Sequence, residues 1–139
     1  MDRRRLACAL LLLALACGCA HSVRLKQTPA AKGGEARVRV ELTYDRNNTL
    51  IIKFNGPEPT VYGASYTRYV AWVAPPDPSP AARDRAINVG QIRVEGGKGD
   101  LKTLTPLRKF HFFLTVEERG DAQRPGPQVV FETEKDIDW

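Results

Sequence analysis

Beyond residue 19 the sequence contains no cysteine, because Cys8, Cys17 and Cys19 are its only three. A domain built from the remainder has no thiol, no disulfide and no cysteine metal site, so an exported form must rely on its apolar core. Histidine is nearly as scarce, with His21 and His111 alone. A nucleophile would have to be serine, yet Ser65 and Ser79 sit among turn residues and no Gly-x-Ser-x-Gly elbow surrounds them. Long hydrophobic runs are missing too. The longest, Leu6 to Ala16, has eleven residues, against roughly 20 for a bilayer-spanning helix. No transmembrane helix is expected. Nor does one sign of charge dominate: setting aside Asp2 and Arg3 to Arg5 leaves 18 basic and 15 acidic residues, a net charge of +3. That balance, with acids interspersed among the bases, gives no reason to expect nucleic-acid binding.

What is present begins with a targeting signal. Arg3, Arg4 and Arg5 form a cationic head, Leu6 to Ala16 an apolar stretch, and Ala16-Cys17-Gly18-Cys19 a small-residue end. This is the layout of a secretory signal peptide. The cysteine at its end resembles the bacterial lipobox, in which the cysteine is lipidated and the chain is cut just before it. Cys19 has Gly18 at −1 and Ala16 at −3; Cys17 has Ala16 and Ala14 there, and neither has the leucine of the pattern. Cys19 is the preferred lipidation site, with cleavage between Gly18 and Cys19, for its glycine and the polar Ala20-His21-Ser22 that follows. The resemblance implies attachment to a membrane through the N-terminal lipid. Ala20 stands where an inner-membrane lipoprotein tends to carry aspartate, which implies the periplasmic side of the outer membrane. Residues 1–18 are then the signal peptide, 19–34 a flexible tether carrying Pro29, Gly33 and Gly34, and 35–139 one domain.

That domain reads as strands separated by turn chemistry. Val38, Val40, Leu42 and Tyr44 alternate with Arg37, Arg39, Glu41 and Thr43, a period of two with one wet face. Asp45-Arg46-Asn47-Asn48 predicts a turn, and Leu50, Ile52 and Phe54 a returning strand. Tyr66 to Val73 is apolar on both faces, as a central strand would be. Four prolines between Pro75 and Pro80 exclude a strand interior there, and Ala81 to Arg85 allows a helical turn. Further strands are expected over 87–94, 101–105, 110–117 and 128–133, with Gly96-Gly97 as a turn. About seven strands predict an all-β, immunoglobulin-like β-sandwich.

The order of short motifs in the second half carries a resemblance. Tyr69-Val70-Ala71-Trp72, Asn88-Val89-Gly90, Leu114-Thr115-Val116-Glu117 and Pro125-Gly126-Pro127 follow one another. Over roughly Tyr66 to Thr133 this resembles the extracytoplasmic β domain of anti-sigma-K-type factors. Their sigma-binding region, His/Cys zinc signature and transmembrane helix have no counterpart here, so sigma-factor binding is not implied. What the resemblance implies is a fold, with envelope sensing as one use for it.

No catalytic or metal site is expected, and no cofactor. His111 alternates with core-facing phenylalanines and reads as a solvated strand position. Asp45 and Asn47 begin like a calcium loop but lack its glycine and its bidentate glutamate. Glu117, Glu118 and Asp121 read as a solvated strand end, and Gly96 to Gly99 is not a phosphate loop because no helix signal follows. Glu58, Asp77 and Asp84 are the loop carboxylates that a small hydrolase would have to use. The acidic end, Glu132 to Trp139, either continues the last strand or docks on a partner by strand addition. The expected function is a non-enzymatic interaction or structural module with an unknown envelope protein or polymer as partner. Envelope sensing, and less so hydrolysis, are the alternatives.

Overall fold

The computed structural model describes residues 20–43, 47–76 and 80–138. Ten strands form two antiparallel sheets: β1 (Ala20–Arg24), β2 (Lys26–Gln27), β3 (Glu35–Leu42), β4 (Asn48–Asn55), β5 (Arg68–Ala74), β6 (Ile87–Ile92), β7 (Lys98–Thr105), β8 (Lys109–Glu117), β9 (Val129–Glu132) and β10 (Ile137–Asp138). A 3-10 turn spans Pro59–Tyr62, and a short helix, α1, spans Pro80–Asp84. The four-stranded sheet runs β1-β3-β4-β7. The other runs β2-β9-β8-β5-β6, with β10 beside β8 next to β9. The chain is an all-β sandwich, immunoglobulin-like in its two-layer architecture. One local feature of its connectivity is that β3 and β4 form a hairpin within one sheet.

Alternation explains the layers. Val38 and Val40 of β3 and Leu50, Ile52 and Phe54 of β4 meet Tyr69, Ala71 and Val73 of β5 and Phe110, Phe112 and Leu114 of β8. Phe54 seals the centre, 4.5 Å from the Tyr69 ring and edge-on to Phe131 at 5.8 Å. Leu42, the last residue of β3, continues its apolar phase yet is 53% exposed. The other side of β5 and β8 is buried as well. There Val70, Trp72, Phe113 and Val129 form a second cluster with Ala86, partly covered by Ala122. Arg83 of α1 lies over the Phe113 ring at 5.7 Å. The expectation that β5 is central holds for this reason: it pairs β6 on one side and β8 on the other, and both its faces are buried.

The flexible tether expected over 19–34 is corrected for the described residues 20–34. Ala20 to Arg24 pair with Glu41 to Arg37 of β3, and Lys26 and Gln27 pair with Glu132 and Phe131 of β9. Between them Leu25 is buried and its N–H donates to Ala36 O at 2.9 Å, so the chain crosses from one sheet to the other there. The rest follows the fold: Thr28 Oγ1 donates to Val129 O at 2.6 Å and Lys32 N–H to the Tyr62 hydroxyl at 2.8 Å. Only Val23 of β1 packs against the core, so an edge strand held mainly by its backbone looked like polar leader. β1, β2 and β10 are the three strands beyond the seven expected. On the opposite edge, Gly96 (φ +60°) and Gly97 (φ +78°) close a two-residue turn between Glu95 and Lys98 and carry the chain from β6 to β7. Two consecutive left-handed residues are what such a turn requires.

Candidate functional site

Gly18 and Cys19 lie outside the described residues, as do Tyr44 to Arg46, Asp77 to Ser79 and Trp139. What the structure adds is the position of their neighbours. Ala20, covalently next to Cys19, is already paired with Glu41 at one corner of the four-stranded sheet.

The residues quoted for the second-half resemblance meet in one hydrogen-bonded chain. The Trp72 indole Nε1–H donates to Thr115 Oγ1 at 2.8 Å, and that hydroxyl donates to Glu117 Oε1 at 2.7 Å. The same carboxylate oxygen accepts the Gly126 N–H at 2.6 Å. Trp72 and Thr115 are wholly buried, so these bonds satisfy groups that water does not reach. A Cβ at Gly126 would sit 2.9 Å from Glu117 Oε2, so a larger residue there would have to displace the carboxylate that its own N–H binds. Asn88, opposite Trp72, lies on the same outer side: the register of β5 and β6 shifts between Ala71 and Trp72, and Asn88 Oδ1 accepts the Gly90 N–H at 2.9 Å. Glu117 is therefore an internal acceptor that pins the loop after β8, and the solvated strand end expected for it is corrected.

His111 is also less exposed than a solvated strand position would be. Its side chain is 28% exposed, with Nε2 3.5 Å from Glu132 Oε2 and Nδ1 3.5 Å from Asp136 Oδ1. Nδ1 is 3.1 Å from Thr133 Oγ1, and the ring lies 5.9 Å from that of Phe113. The two carboxylates address different ring nitrogens, an arrangement that ties the segment 132–136 to β8. Among the described residues no group of three or more histidine, cysteine or acidic side chains is arranged to hold a metal ion.

Other candidates disperse. Asp121 is held by Arg119 through two contacts of 2.9 Å, which lowers its carboxyl below the usual range and raises the guanidinium. Glu58 precedes the 3-10 turn, whose Tyr62 packs on the inter-sheet core. Asp84 ends α1, which covers the opposite side of that sheet. These two loop carboxylates are not brought together. His21 belongs to exposed β1. The hydroxyl of Tyr69 donates to Pro57 O at 2.8 Å. Burial first, and then the neighbouring Tyr62 and Glu58, push its pKa well above the ordinary phenol range. Ile137 is buried and paired with Phe110, so the acidic segment packs at least as far as that residue.

One surface stands out from the individual side chains. Residues directly opposite in antiparallel strands share a face, and register aligns the outward residues of the four-stranded sheet into rows. One row is Arg24, Arg37, Lys53 and Asp100; the next is Ser22, Arg39, Ile51 and Lys102; the third is Ala20, Glu41, Thr49 and Leu104. With Glu35, Asn55 and Lys98 beyond them, the face carries six cations against three anions. Arg24–Glu35, Arg39–Glu41 and Lys53–Asp100 pair at 3.7, 3.0 and 3.5 Å. Among the described residues Arg37, Lys98 and Lys102 form no ion pair. A hollow of about 370 Å³ lies between β3, β4 and β7, lined by Arg37, Lys53 and Lys98 together with Glu35, Asn55 and Asp100. The sequence hid this face because each strand alone shows an ordinary wet side. Comparison with known proteins found no matching family, no matching curated protein and no matching solved structure.

Proposed function

We propose that this chain is a lipoprotein, cut after Gly18 and acylated on Cys19, that holds a non-enzymatic β-sandwich at the periplasmic side of the outer membrane as an interaction or structural module. The observation that carries the reading is the run from Arg3 to Cys19, a cationic head and an eleven-residue apolar stretch ending in small residues and cysteine. Among the described residues no helix is long and apolar enough to cross a membrane. Acyl chains contribute about 0.8 kcal/mol per buried CH₂, and two or more together give stable anchoring. The non-enzymatic part is supported by how the candidate polar groups are used. Thr115 and Glu117 satisfy buried or loop donors, and Asp121 is committed to Arg119.

Mass spectrometry of the mature N-terminus, with membrane fractionation, tests the reading. A diacylated or triacylated Cys19 in the outer-membrane fraction is expected, and Cys19→Ser is expected to leave an unprocessed precursor. Cys17→Ser should leave both modification and location unchanged. Intact precursor in the cytosol, or an exported chain without fatty acid, would end the proposal.

A further inference from the structure

We propose that the outward face of the four-stranded sheet rests on an anionic phospholipid surface, with Leu104 and the cations around it as the contact. The inference rests on the lipid-anchor reading and deepens it. Three observations carry it.

The first is the lack of slack. A flexible tether of fifteen residues would have a root-mean-square reach of roughly 20 Å and leave the domain free to tumble. Instead β1 starts at Ala20, one residue from Cys19 and about 3.4 Å along the chain. An anchor at Cys19 therefore holds the corner of this sheet against the headgroups, whatever the rest of the domain does.

The second is charge. The face carries six cations and three anions, an excess equal to that of the whole chain beyond residue 18. Arg37, Lys98 and Lys102 are left without a carboxylate among the described residues. The clustered acids lie elsewhere: Glu132 and Asp138 belong to β9 and β10 of the other sheet, with Glu134 and Asp136 between them. Laying the four-stranded sheet down brings bases to an anionic surface and turns that acidic segment away.

The third is the apolar tip. Leu104 is 54% exposed on this face. It shares a row with Ala20, three strand spacings across, which is about 14 Å. The face thus has a covalent anchor at one corner of a row, an exposed leucine at the other, and cations behind both. Interfacial binding combines these same elements: buried apolar surface and attraction to anionic lipid. An anionic cell-wall polymer would satisfy the charges but gives no role to Leu104 or to the anchored corner.

The test uses the mature acylated protein purified from cells and reconstituted into vesicles of phosphatidylcholine, alone or mixed with phosphatidylglycerol. An environment-sensitive dye is attached to Leu104→Cys or, on the other sheet, to the exposed Ile87→Cys. Quenching by brominated lipid is then measured. Quenching at 104 but not at 87, stronger with phosphatidylglycerol and weakened by salt, is the expected result. Each lysine or arginine near an anionic surface contributes roughly fivefold. Arg37→Gln, Lys98→Gln and Lys102→Gln together should therefore lower the docked-to-undocked ratio about a hundredfold. All three are surface strand positions, and an unchanged melting curve confirms that the variant folds. Equal quenching at both sites, or none at either, in a protein whose acylation has been verified by mass overturns the docked face and leaves the anchor standing. Protection of the 104 label by an anionic cell-wall polymer and not by the vesicles assigns the face to that polymer and overturns the lipid contact. An N-terminus without acyl chains removes the anchor, and the docked face falls with it.

Discussion

Replacing Thr115 by valine keeps the volume and β-branching of the side chain and deletes one oxygen. That oxygen is the acceptor for the Trp72 indole and the donor to Glu117, at 2.8 and 2.7 Å. Both Trp72 and Thr115 have no solvent exposure, so the indole N–H is left without a partner in a site closed to water. An orphaned buried donor costs about 1–3 kcal/mol. The carboxylate fares better: Glu117 keeps its bond from Gly126 N–H and is partly exposed, so losing the hydroxyl there costs about 1 kcal/mol. The added methyl returns less than 1 kcal/mol in a pocket already filled. The net expectation is a loss of about 2–3 kcal/mol. For a domain of this length that lowers the melting temperature by roughly 10 °C.

The control is Thr115→Ser, which retains the hydroxyl and gives up one buried methyl, about 1 kcal/mol. Denaturant titration of both, combined with Trp72→Phe, completes a double-mutant cycle. In the Trp72→Phe background the orphaned donor no longer exists, so Thr115→Val should cost at least 1 kcal/mol less than in the parent. If valine proves as mild as serine, or the cycle shows no coupling, the hydrogen-bonded chain contributes nothing measurable. The reasoning that makes these motif residues determinants of the fold would then fail.

Three further expectations follow from the same structure. The raised pKa of Tyr69 means that the unfolded chain releases this proton first, near pH 10, so stability is full below that value and declines as pH rises above it; Tyr69→Phe should cost about 1 kcal/mol near neutrality and flatten that alkaline limb in pH-dependent urea titrations. Gly90 has φ +143° and a Cβ there would meet Leu101 Cδ1 at 2.9 Å, so Gly90→Ala should destabilise by about 2 kcal/mol in the same titrations, whereas Gly33→Ala, whose Cβ meets nothing within 4 Å, should pay only for its φ of +102°. Ile137→Ala should lower stability by about 2 kcal/mol; a melting temperature unchanged by it would revive a docking role for the acidic end in place of packing.

What the sequence reveals and what it hides divide along a physical line. Strands whose large apolar residues recur at every second position announce themselves: Val38 and Val40, Leu50, Ile52 and Phe54, and Phe110, Phe112, Leu114 and Val116 line the inter-sheet core where their alternation puts them. Strands held by backbone pairing at an edge do not. β1 exposes Ala20, His21, Ser22 and Arg24 and turns only Val23 toward the core, and β10 contributes Ile137 alone. Proline and glycine mark where the chain leaves a sheet but not what it then covers. The segment after Pro75 returns through α1 onto Phe113, so the far side of β8 is a second core where its histidine and threonine predict water.

The same line separates the candidate surface from its parts. Arg37, Arg39, Lys53 and Lys102 are ordinary outward residues of three strands, and nothing local distinguishes them from solubilising charge. They become one cationic face only through register, which sets Arg37 opposite Lys53 and Ile51 between Arg39 and Lys102. A one-residue slip would send each strand's charges into the core, so the hydrophobic pattern that fixes the fold also fixes the face. Its significance then depends on the distance from Cys19 to the first paired residue. With a long leader the excess charge is a minor solubility feature. With β1 beginning at Ala20, an acyl anchor on Cys19 would hold the same charges within reach of headgroups. Lengthening the chain between Cys19 and Ala20 by a Gly/Ser stretch of fifteen residues separates these cases. Quenching of the 104 label should then fall, because the local concentration of the face at the membrane drops with tether length, while acylation and membrane fractionation stay unchanged. Quenching that survives the insertion at full strength would mean that the face binds lipid by its own affinity, with the anchored corner adding nothing.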